Sequence, residues 1–307
     1  MPDAWGIVLA IGLDLVLGDP QGWPHPVRGI GWAYARLDAL ADRLGWRTRV
    51  FGAVCVIAVA GASGFLVWRA SRAFCLGPLL GLYFAYAGLA LGDLFAQAQR
   101  AARFLDNGKL ESARAVVAGL VSRDVTALDE DGLRRALAES VSENTNDGFV
   151  APLVYLTLGG PGLLWAYKAV STADSMWGYR TDRYRRIGAF GARADDVLAY
   201  VPARITACAM VAAGWIFGLV GPGMWDNITR DAAKSASPNA GWPMAAAAWI
   251  CGASMGGPSR YFGAWVDKPR FGPAQEPWTI ERQRILYRVI LLSCIIISIG
   301  SIAICII

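Results

Sequence analysis

Five short stretches of this 307-residue chain concentrate the side chains that could bind ions, bind phosphate or carry protons. The most compact stretch contains Glu139, Glu143, Asn144 and Asp147. Glu139 and Glu143 are four residues apart, so a helix would place both on the same face. Clustered carboxylates and amides suit Mg²⁺, a hard cation that prefers oxygen ligands. The alternative is a solvated helix face on which Arg135 pairs with Glu139.

A second stretch, residues 167–186, alternates cations with tyrosines and carboxylates. Lysine and arginine bind phosphate and carboxylate groups, and arginine often does so through two parallel hydrogen bonds. The alternative is a basic segment beside the membrane that contacts anionic lipid. Asp174, Ser175 and Tyr179 would not serve that purpose, which favours a binding site. The cationic candidates in this stretch are Lys168, Arg180 and Arg183.

Several charged residues lie within or beside apolar segments. Asp14 belongs to the apolar segment 4–17, where an unpaired carboxylate costs about a few kcal/mol, so it is a functional candidate unless it reaches the interface. Asp195 and Asp196 are adjacent and could hold a metal–phosphate unit. On a helix they point about 100° apart, so only one would face a site. Arg204 falls within an apolar helix and needs a partner.

His25 is the only histidine, and it lies between two prolines with Asp19 before it and Arg28 after it. A single histidine is more often structural than catalytic, so both roles stay open. The turn signals around Asn239 carry little functional weight alone. The sequence contains no GxxxxGK[ST] phosphate loop, no GxGxxG fingerprint and no HExxH zinc motif.

Composition indicates a membrane protein. The chain is 55% hydrophobic and only 17% charged, whereas soluble domains are about 25% charged. The net charge of +5 fits the Lys- and Arg-rich inner loops of membrane proteins, and we expect no nucleic-acid partner. The six cysteines lie in or beside apolar stretches without a CxxC pair, so neither disulfides nor a cysteine metal site is expected.

Six apolar segments are predicted to be membrane helices, because a span needs about 20 mostly apolar residues. The short segments 4–17 and 241–255 would span only if extended into their flanks, and the alternative is buried helices packed on the others. The remaining predicted spans are 50–68, 76–98, 197–220 and 289–307.

Residues 149–170 are apolar enough to span, but Gly159-Gly160-Pro161-Gly162 interrupts them. Glycine and proline break helices, so we predict a re-entrant or broken helical hairpin here. The arginine-rich segments 99–148 and 171–196 flank it, and a hairpin keeps both on the cytoplasmic side.

We therefore expect an all-α, polytopic membrane protein that forms a single integral domain over 1–307, with its N-terminus outside. Segment 99–148 would be a helical cytoplasmic cap, in which Thr126 begins a capping box with Asp129. Leu133 and Leu137 follow at helical spacing and should be buried. Segment 171–196 would be a basic site segment.

Taken together, six ordered blocks resemble the adenosylcobinamide-phosphate synthase family of cobalamin-biosynthesis membrane proteins, CobD or CbiB. The resemblance covers about residues 10–265 and keeps the family's order. Ser171 and Ala199 stand where the family pattern has asparagine, and Met244 stands where it has glutamate. The matching segments are Leu13–Arg28, Glu139–Leu153, Tyr167–Tyr179, Ala192–Arg204, Pro238–Pro243 and Gly256–Gly263.

The resemblance implies ATP-dependent amide formation between adenosylcobyric acid and aminopropanol or its phosphate, giving adenosylcobinamide or its phosphate. The corrinoid is a substrate, and ATP with Mg²⁺ would activate its carboxylate as an acyl phosphate. Expected partners besides the substrates are membrane lipid and other cobalamin-assembly membrane enzymes. The expected location is the inner membrane, with the active site on the cytoplasmic side.

We predict roles for the matched residues on this basis. The predicted metal and nucleotide ligands are Glu139, Glu143, Asn144 and Asp147. The predicted catalytic residues are Lys168, Asp174, Asp195 and Asp196, of which an aspartate would orient or deprotonate the amine. The predicted substrate-binding residues are Asp14, Asp19, His25, Arg28, Tyr179, Arg180, Arg183, Arg204 and Asn239. A small-molecule transporter and a non-catalytic membrane sensor remain as alternative functions.

Overall fold

The structure is a computed structural model that describes residues 4–20, 22, 25–179, 181–261 and 263–306. Most of these residues are helical, and one antiparallel hairpin is the only sheet among them. The contacts divide the chain into two compact units. The single integral membrane domain stays a prediction. The first unit lies within 1–90, 151–199 and 300–307, and the second lies within 91–150 and 200–299.

The described part of the chain contains thirteen α-helices and one π-helical turn. The helices before the turn are α1 (Ala4–Leu17), α2 (Pro26–Leu44), α3 (Arg49–Ala70), α4 (Gly77–Ala87), α5 (Leu91–Asp106), α6 (Leu110–Ala118) and α7 (Glu130–Thr145). The π-turn is Asn146–Val150. After it come α8 (Ala151–Trp177), α9 (Ala189–Leu198), α10 (Tyr200–Ile216), α11 (Met224–Ala232), α12 (Gly241–Cys251) and α13 (Ile280–Ile306). Strands β1 (Ser259–Tyr261) and β2 (Ala264–Val266) form the hairpin.

In the first unit, α3 packs closely against α8 through glycines. A Cβ added to Gly64 would lie 3.0 Å from the Gly162 carbonyl oxygen, and one added to Gly162 would lie 3.0 Å from the Gly64 carbonyl oxygen. Small residues allow such close approach of helices in membrane proteins. Gly52, near the start of α3, lies against Ile187, because an added Cβ would be only 1.9 Å from the Ile187 carbonyl oxygen. Helix α3 therefore positions both α8 and the segment that follows it.

Helix α8 is interrupted where the sequence predicted a break. Gly159 has non-helical backbone angles, and Gly160 has a φ of 70° and a ψ of −169°. Glycine reaches this region freely, whereas other residues are strained there. Pro161 then opens the second half of the helix, because proline is tolerated in a first turn. The broken helix is confirmed, and its re-entrant topology stays a prediction.

The protein is a polytopic helical membrane protein, as the sequence predicted. The bent pair α9 and α10, at 42°, would add one span to the four helical runs that are long and apolar enough to cross a membrane. Those four runs are Arg49–Ala70, Gly77–Asp106, Glu130–Trp177 and Ile280–Ile306.

Two predicted spans form short helices. The segment 4–17 is the 14-residue apolar helix α1. The segment 241–255 forms the 11-residue helix α12, which at 1.5 Å per residue is about 17 Å long. A hydrocarbon core is about 30 Å thick, so α12 is too short to cross it. Most residues of α12 are buried, so it corresponds to the buried-helix alternative.

In the second unit, α7 begins one turn later than the predicted capping box. Asp129 is its N-cap, and the Asp129 Oδ1 accepts a hydrogen bond from the Gly132 backbone N–H at 2.8 Å. Thr126 belongs instead to a turn in which its backbone N–H donates to Asp124. Leu133 and Leu137 are fully buried, as their spacing predicted.

A buried arginine joins three helices of the second unit. Arg134 of α7 is 1% exposed. Its guanidinium donates to Asp106 of α5 at 2.8 Å and to Gln283 of α13 at 2.7 Å. Glu130 accepts from the same group at 2.9 Å. A buried charge is tolerated when it is paired and hydrogen-bonded in this way.

Asp231 joins a second set of elements in this unit. Its carboxylate accepts hydrogen bonds from Lys234 at 2.6 Å, from the Trp249 indole of α12 at 2.8 Å and from the Gly272 backbone N–H at 2.9 Å. Burial raises the pKa of Asp231, but these three donors outweigh it and hold the pKa below its usual value. The side chain therefore fixes α11, α12 and the chain around Gly272 together.

Candidate active site

The acidic stretch lies on the last turns of α7 and on the π-turn that continues it. A π-turn inserts an extra residue into a helix and is frequent at functional sites. Glu143 and Asp147 are close enough to interact electrostatically. Asn146 holds this turn in place, because its amide nitrogen donates to Asp147 Oδ1 at 2.7 Å and its amide oxygen accepts from Thr206 at 3.1 Å.

Glu139 makes a buried ion pair with a residue distant in sequence. Its side chain is 8% exposed, and its Oε2 contacts the guanidinium of Arg123, which is 7% exposed. Its Oε1 accepts a hydrogen bond from the Gly256 backbone N–H at 2.7 Å. The solvated pair of Glu139 with Arg135 is therefore replaced by a buried pair with Arg123. Both carboxylate oxygens of Glu139 are engaged by the protein.

The remaining donors fit a magnesium ion that is shared with a nucleotide. Among the described residues, no group of three or more His, Cys, Asp or Glu side chains could hold a metal ion. Glu143 and Asp147 provide two carboxylates, and the amide nitrogen of Asn144 donates to the Ser140 carbonyl at 2.9 Å. Mg²⁺ is commonly bound by one or two carboxylates plus water and substrate phosphates. The pair Glu143 and Asp147 suits that arrangement, whereas a closed metal site does not fit.

Cations that the sequence analysis did not single out lie near this acidic pair. Lys268 and Arg123 both interact electrostatically with Glu143. Lys268 stacks on the ring of Tyr261 at 4.5 Å and hydrogen-bonds the hydroxyl group of that residue. Gly256 has a φ of 79°, and an added Cβ there would lie 2.0 Å from the Pro269 carbonyl oxygen. In the sequence, the segment Gly256–Gly263, one of the six blocks of the family resemblance, was the only sign that this region could belong to the site.

Arg204 finds aromatic and amide partners within the second unit. Its guanidinium lies 3.3 Å from the ring centroid of Tyr200 and 4.8 Å from that of Trp242. It donates to the Tyr200 carbonyl oxygen at 2.7 Å and to the Asn239 side-chain oxygen at 3.4 Å. The predicted need for a partner is met by cation–π contacts. Asn239 and Arg204 thus lie together, as two predicted substrate-binding residues should.

In the first unit, His25 caps a helix and faces a carboxylate. Its Nδ1 accepts a hydrogen bond from the Val27 backbone N–H at 3.3 Å, which caps α2. Its Nε2 lies 3.6 Å from Asp19 Oδ1. Burial lowers the pKa of His25, Asp19 opposes that shift, and Lys168 and Arg28 reinforce it. His25 therefore has a structural role, and its Nε2 edge is directed at Asp19.

Asp14 is fully buried within the protein. It interacts electrostatically with Tyr86, as does Asp19. The Tyr86 hydroxyl donates to the Gly18 carbonyl oxygen at 2.5 Å. The two aspartates of the first block therefore lie near the same tyrosine.

The adjacent aspartates of α9 face different neighbours, as their helical spacing predicted. Asp196 interacts electrostatically with Asp174 of α8. Asp195 interacts instead with Tyr155, whose ring stacks on Tyr167 at a centroid distance of 4.7 Å. Asp174 and Asp196 thus form the second carboxylate pair of the protein's predicted site residues.

Arg183 belongs to a surface network rather than standing alone. It donates to Asp38 at 2.6 Å and to Asp42 at 2.8 Å, and Arg47 contacts the same two carboxylates. Hydrogen bonds from Arg47 lower the pKa of Asp42. Its predicted role in substrate binding is not tested by this network and stays a prediction. Arg28 and Tyr179 are exposed, and Arg180 lies outside the described residues.

The predicted site residues are distributed between the two units. Glu139, Glu143, Asn144, Asp147, Arg204 and Asn239 belong to the second unit. The first unit contains Asp14, Asp19, His25, Arg28, Lys168, Asp174, Tyr179, Arg183, Asp195 and Asp196.

These features define a polytopic helical membrane protein whose predicted site residues include two carboxylate pairs, one of them with cations nearby. The sequence model of the family described as CobD/Cbib protein matches residues 7–290. The chain therefore belongs to the CobD/Cbib family. Comparison with solved structures gives no significant match.

Curated relatives support this assignment over most of their length. The chain is 39% identical over 283 residues to the cobalamin biosynthesis protein CobD of Geobacter metallireducens, covering 90% of this chain and 89% of the relative. It is 38% identical over 293 residues to the cobalamin biosynthesis protein CbiB of Salmonella typhimurium, covering 91% and 89%. The CobD of Listeria monocytogenes strain EGD-e is 36% identical over 272 residues, covering 86% of each chain.

Proposed function

We propose that this protein is an ATP-dependent ligase of cobalamin biosynthesis. It joins the amine of aminopropanol, or of its phosphate, to a side-chain carboxylate of adenosylcobyric acid. The product is adenosylcobinamide or its phosphate. Relatives named for cobalamin biosynthesis align with about nine-tenths of the chain, which supports the pathway. We place the protein in the inner membrane with its active site on the cytoplasmic side, where ATP is available.

The reaction needs activation, because joining a carboxylate to an amine is uphill in water. The corrinoid carboxylate takes the terminal phosphoryl group of ATP, which forms an acyl phosphate and releases ADP. The amine nitrogen then attacks the carbonyl carbon, loses a proton, and expels inorganic phosphate. Enzymes promote phosphoryl transfer mainly by positioning and by offsetting negative charge.

The observation that carries this proposal is the pair Glu143 and Asp147 beside the cations Lys268 and Arg123. Two carboxylates would hold Mg²⁺, which supplies charge neutralisation on the ATP phosphates. Lys268 would contact phosphate oxygens directly. Glu139 would not contact the ion in this scheme. It is a positioning residue, because its carboxylate holds Arg123 and the Gly256 backbone in place.

The first unit supplies residue types that suit the amine. Asp174 and Asp196 interact with each other, and two such carboxylates would bind an ammonium group, orient it and accept its proton. Lys168 lies within electrostatic range of His25 and would contact a phosphate or carboxylate of a substrate. Asp14, Asp19 and Arg28 complete this group.

Turnover of purified protein tests the proposal. Protein in detergent or lipid, given Mg²⁺, should consume ATP only when adenosylcobyric acid and aminopropanol or its phosphate are both present. Mass spectrometry should detect the amide and a matching amount of ADP. Movement of substrate across vesicles without ADP or amide would favour the transporter, and binding of corrinoid without either result would favour the sensor.

A matched pair of variants links turnover to the site. Asp147→Asn should slow ATP consumption, because it removes a carboxylate from the pair. Glu111→Gln is the control, since Glu111 is an 87% exposed carboxylate in the same unit that pairs only with Arg114 among the described residues. Equal turnover of the two variants would contradict the assignment of the acidic pair.

A further inference from the structure

The first unit contains a cavity of about 410 Å³ beside the break in α8. Residues from α1, α4, the end of α3 and the glycine-rich break form its walls. Trp68, Ser71 and Arg72 contribute polar or aromatic side chains to it. None of the predicted site residues lines this cavity, so its chemistry is separate from that of the candidate active site.

Arg72 gives the cavity a positive charge without a nearby acid in the sequence. It is the only charged residue among those that line the cavity. The wall segments from α3 to α4 and around the break in α8 contain no aspartate or glutamate, since none occurs within 43–92 or within 148–173. Helix α1 contains one acid, Asp14, which is fully buried and does not line the cavity. Arg72 is exposed just beyond the end of a candidate span, where a cation attracts anionic lipid headgroups, so an anion from outside the protein is expected there.

The guanidinium of Arg72 is oriented by an aromatic ring. Its central carbon lies 4.3 Å from the ring centroid of Trp68, and Phe65 stacks on the same indole with a centroid distance of 5.9 Å. An arginine that stacks through its face keeps its N–H groups, which lie in the guanidinium plane, for hydrogen bonds to an anion. Phosphate oxygens match that geometry.

The surroundings are those of a membrane interface. Helix α3 is a candidate span that ends at Ala70, so Arg72 lies just beyond its end. Large apolar side chains are exposed around the cavity: Phe65 is 59% exposed, Leu79 is 66% exposed and Leu158 is 63% exposed. Aromatic residues concentrate at the headgroup level of membranes. The apolar side chains would lie against acyl chains.

We propose that this cavity binds the phosphate of an anionic phospholipid, with Arg72 as its cationic ligand and Trp68 as the ring that holds Arg72 in place. The volume suits a glycerol-phosphate headgroup, and the exposed faces of α3 and α4 accept the acyl chains. The bound lipid would support the broken part of α8, which forms one wall. The proposal does not depend on the proposed ligase reaction.

Lipid binding to purified, delipidated protein tests this site. Native mass spectrometry during titration with a short-chain phosphatidylglycerol should show one tight-binding lipid. Arg72→Gln should weaken that binding about tenfold, which corresponds to about 1.4 kcal/mol. Arg36→Gln is the matched control and should bind as the wild type does. Arg36 is also an exposed arginine over an exposed tryptophan, Trp32, at 5.2 Å, but it does not line the cavity.

A second variant fills the cavity and leaves the charge in place. A Cβ added to Gly81 would meet the nearest atom, of Ser71, at 3.6 Å, which is an ordinary contact. Gly81 lines the cavity, so the longer side chain of Gly81→Leu should occupy part of it and weaken phosphatidylglycerol binding, while a melting curve checks that the variant folds. Unchanged lipid affinity in Arg72→Gln would overturn the proposal. Equally tight binding of a diacylglycerol, which lacks phosphate, would also overturn the proposal. Equally tight binding of inorganic phosphate alone would overturn it as well.

Discussion

The buried pair of Glu139 and Arg123 provides a prediction that separates a structural role from a catalytic one. Glu139→Ala removes a carboxylate that is 8% exposed and leaves Arg123, 7% exposed, without its partner. It also leaves the Gly256 backbone N–H without its acceptor at 2.7 Å. Breaking one side of a buried pair costs about 3–5 kcal/mol, because the remaining charge stays buried and unpaired.

This cost should be visible in thermal unfolding. A change of 1 kcal/mol shifts the melting temperature of a large domain by about 2–4 °C, so Glu139→Ala should lower it by at least about 6 °C. Glu139→Gln should lower it less, because a side-chain oxygen remains to accept from Gly256. The double variant with Arg123→Ala should be less destabilised than the sum of the two single variants, since it leaves no unpaired charge.

Circular dichroism or a dye-based melting assay in detergent measures the wild type and the four variants. The reasoning is refuted if Glu139→Ala has the melting temperature of the wild type but no turnover, because that result would assign Glu139 to the metal site. Strict additivity of the two single changes would refute the ion pair.

Three further predictions concern stability and topology. Asp231→Ala should lower the free energy of unfolding by about 3–5 kcal/mol. Because folding lowers the pKa of Asp231, the stabilisation by its carboxylate should be complete above about pH 4 and should vanish as pH falls through the folded pKa. A wild-type acid-unfolding profile identical to that of Asp231→Asn would contradict this. Gly160→Ala should cost about 1–3 kcal/mol, since φ is 70° there, whereas Gly12→Ala, in a helix with open space around it, should melt at or slightly above the wild type. In a chain otherwise free of cysteine, a single cysteine at exposed Ala118 or Asp182 should resist an impermeant reagent in intact cells. A variant that keeps only the exposed Cys75 is the control and should react. Labelling of position 118 or 182 would refute the hairpin topology.

Local spacing predicted those features that depend on neighbouring residues. The run Gly159–Gly162 breaks α8 because backbone angles are set locally. The separation of Asp195 from Asp196 follows from helix geometry alone, and the structure directs them at different neighbours. Long apolar runs likewise predicted three of the four helical runs that are long and apolar enough to cross a membrane, and the fourth, Glu130–Trp177, contains the predicted hairpin segment.

Features that depend on contacts distant in sequence were not predicted. Spacing suggested Arg135 as the partner of Glu139, but tertiary packing brings Arg123, 16 residues away, and Gly256, 117 residues away, to that carboxylate. The partners of Arg204 are aromatic rings, which no charge pattern indicates. The N-cap role of His25 was accessible in principle, because Pro26 at the first helical position marks a helix start.

The measurement that tests the proposed site most directly is the turnover of Glu143→Gln at increasing Mg²⁺ concentration. The substitution keeps the size of the side chain and removes one of the two charges that would hold the ion. Its melting temperature should stay near that of the wild type, because the Glu143 carboxylate makes no salt bridge with a described residue that the substitution would remove. Slow turnover that raised Mg²⁺ partly restores would support a Mg²⁺–ATP site at Glu143 and Asp147. Normal turnover at every Mg²⁺ concentration would remove this face of α7 from the active site.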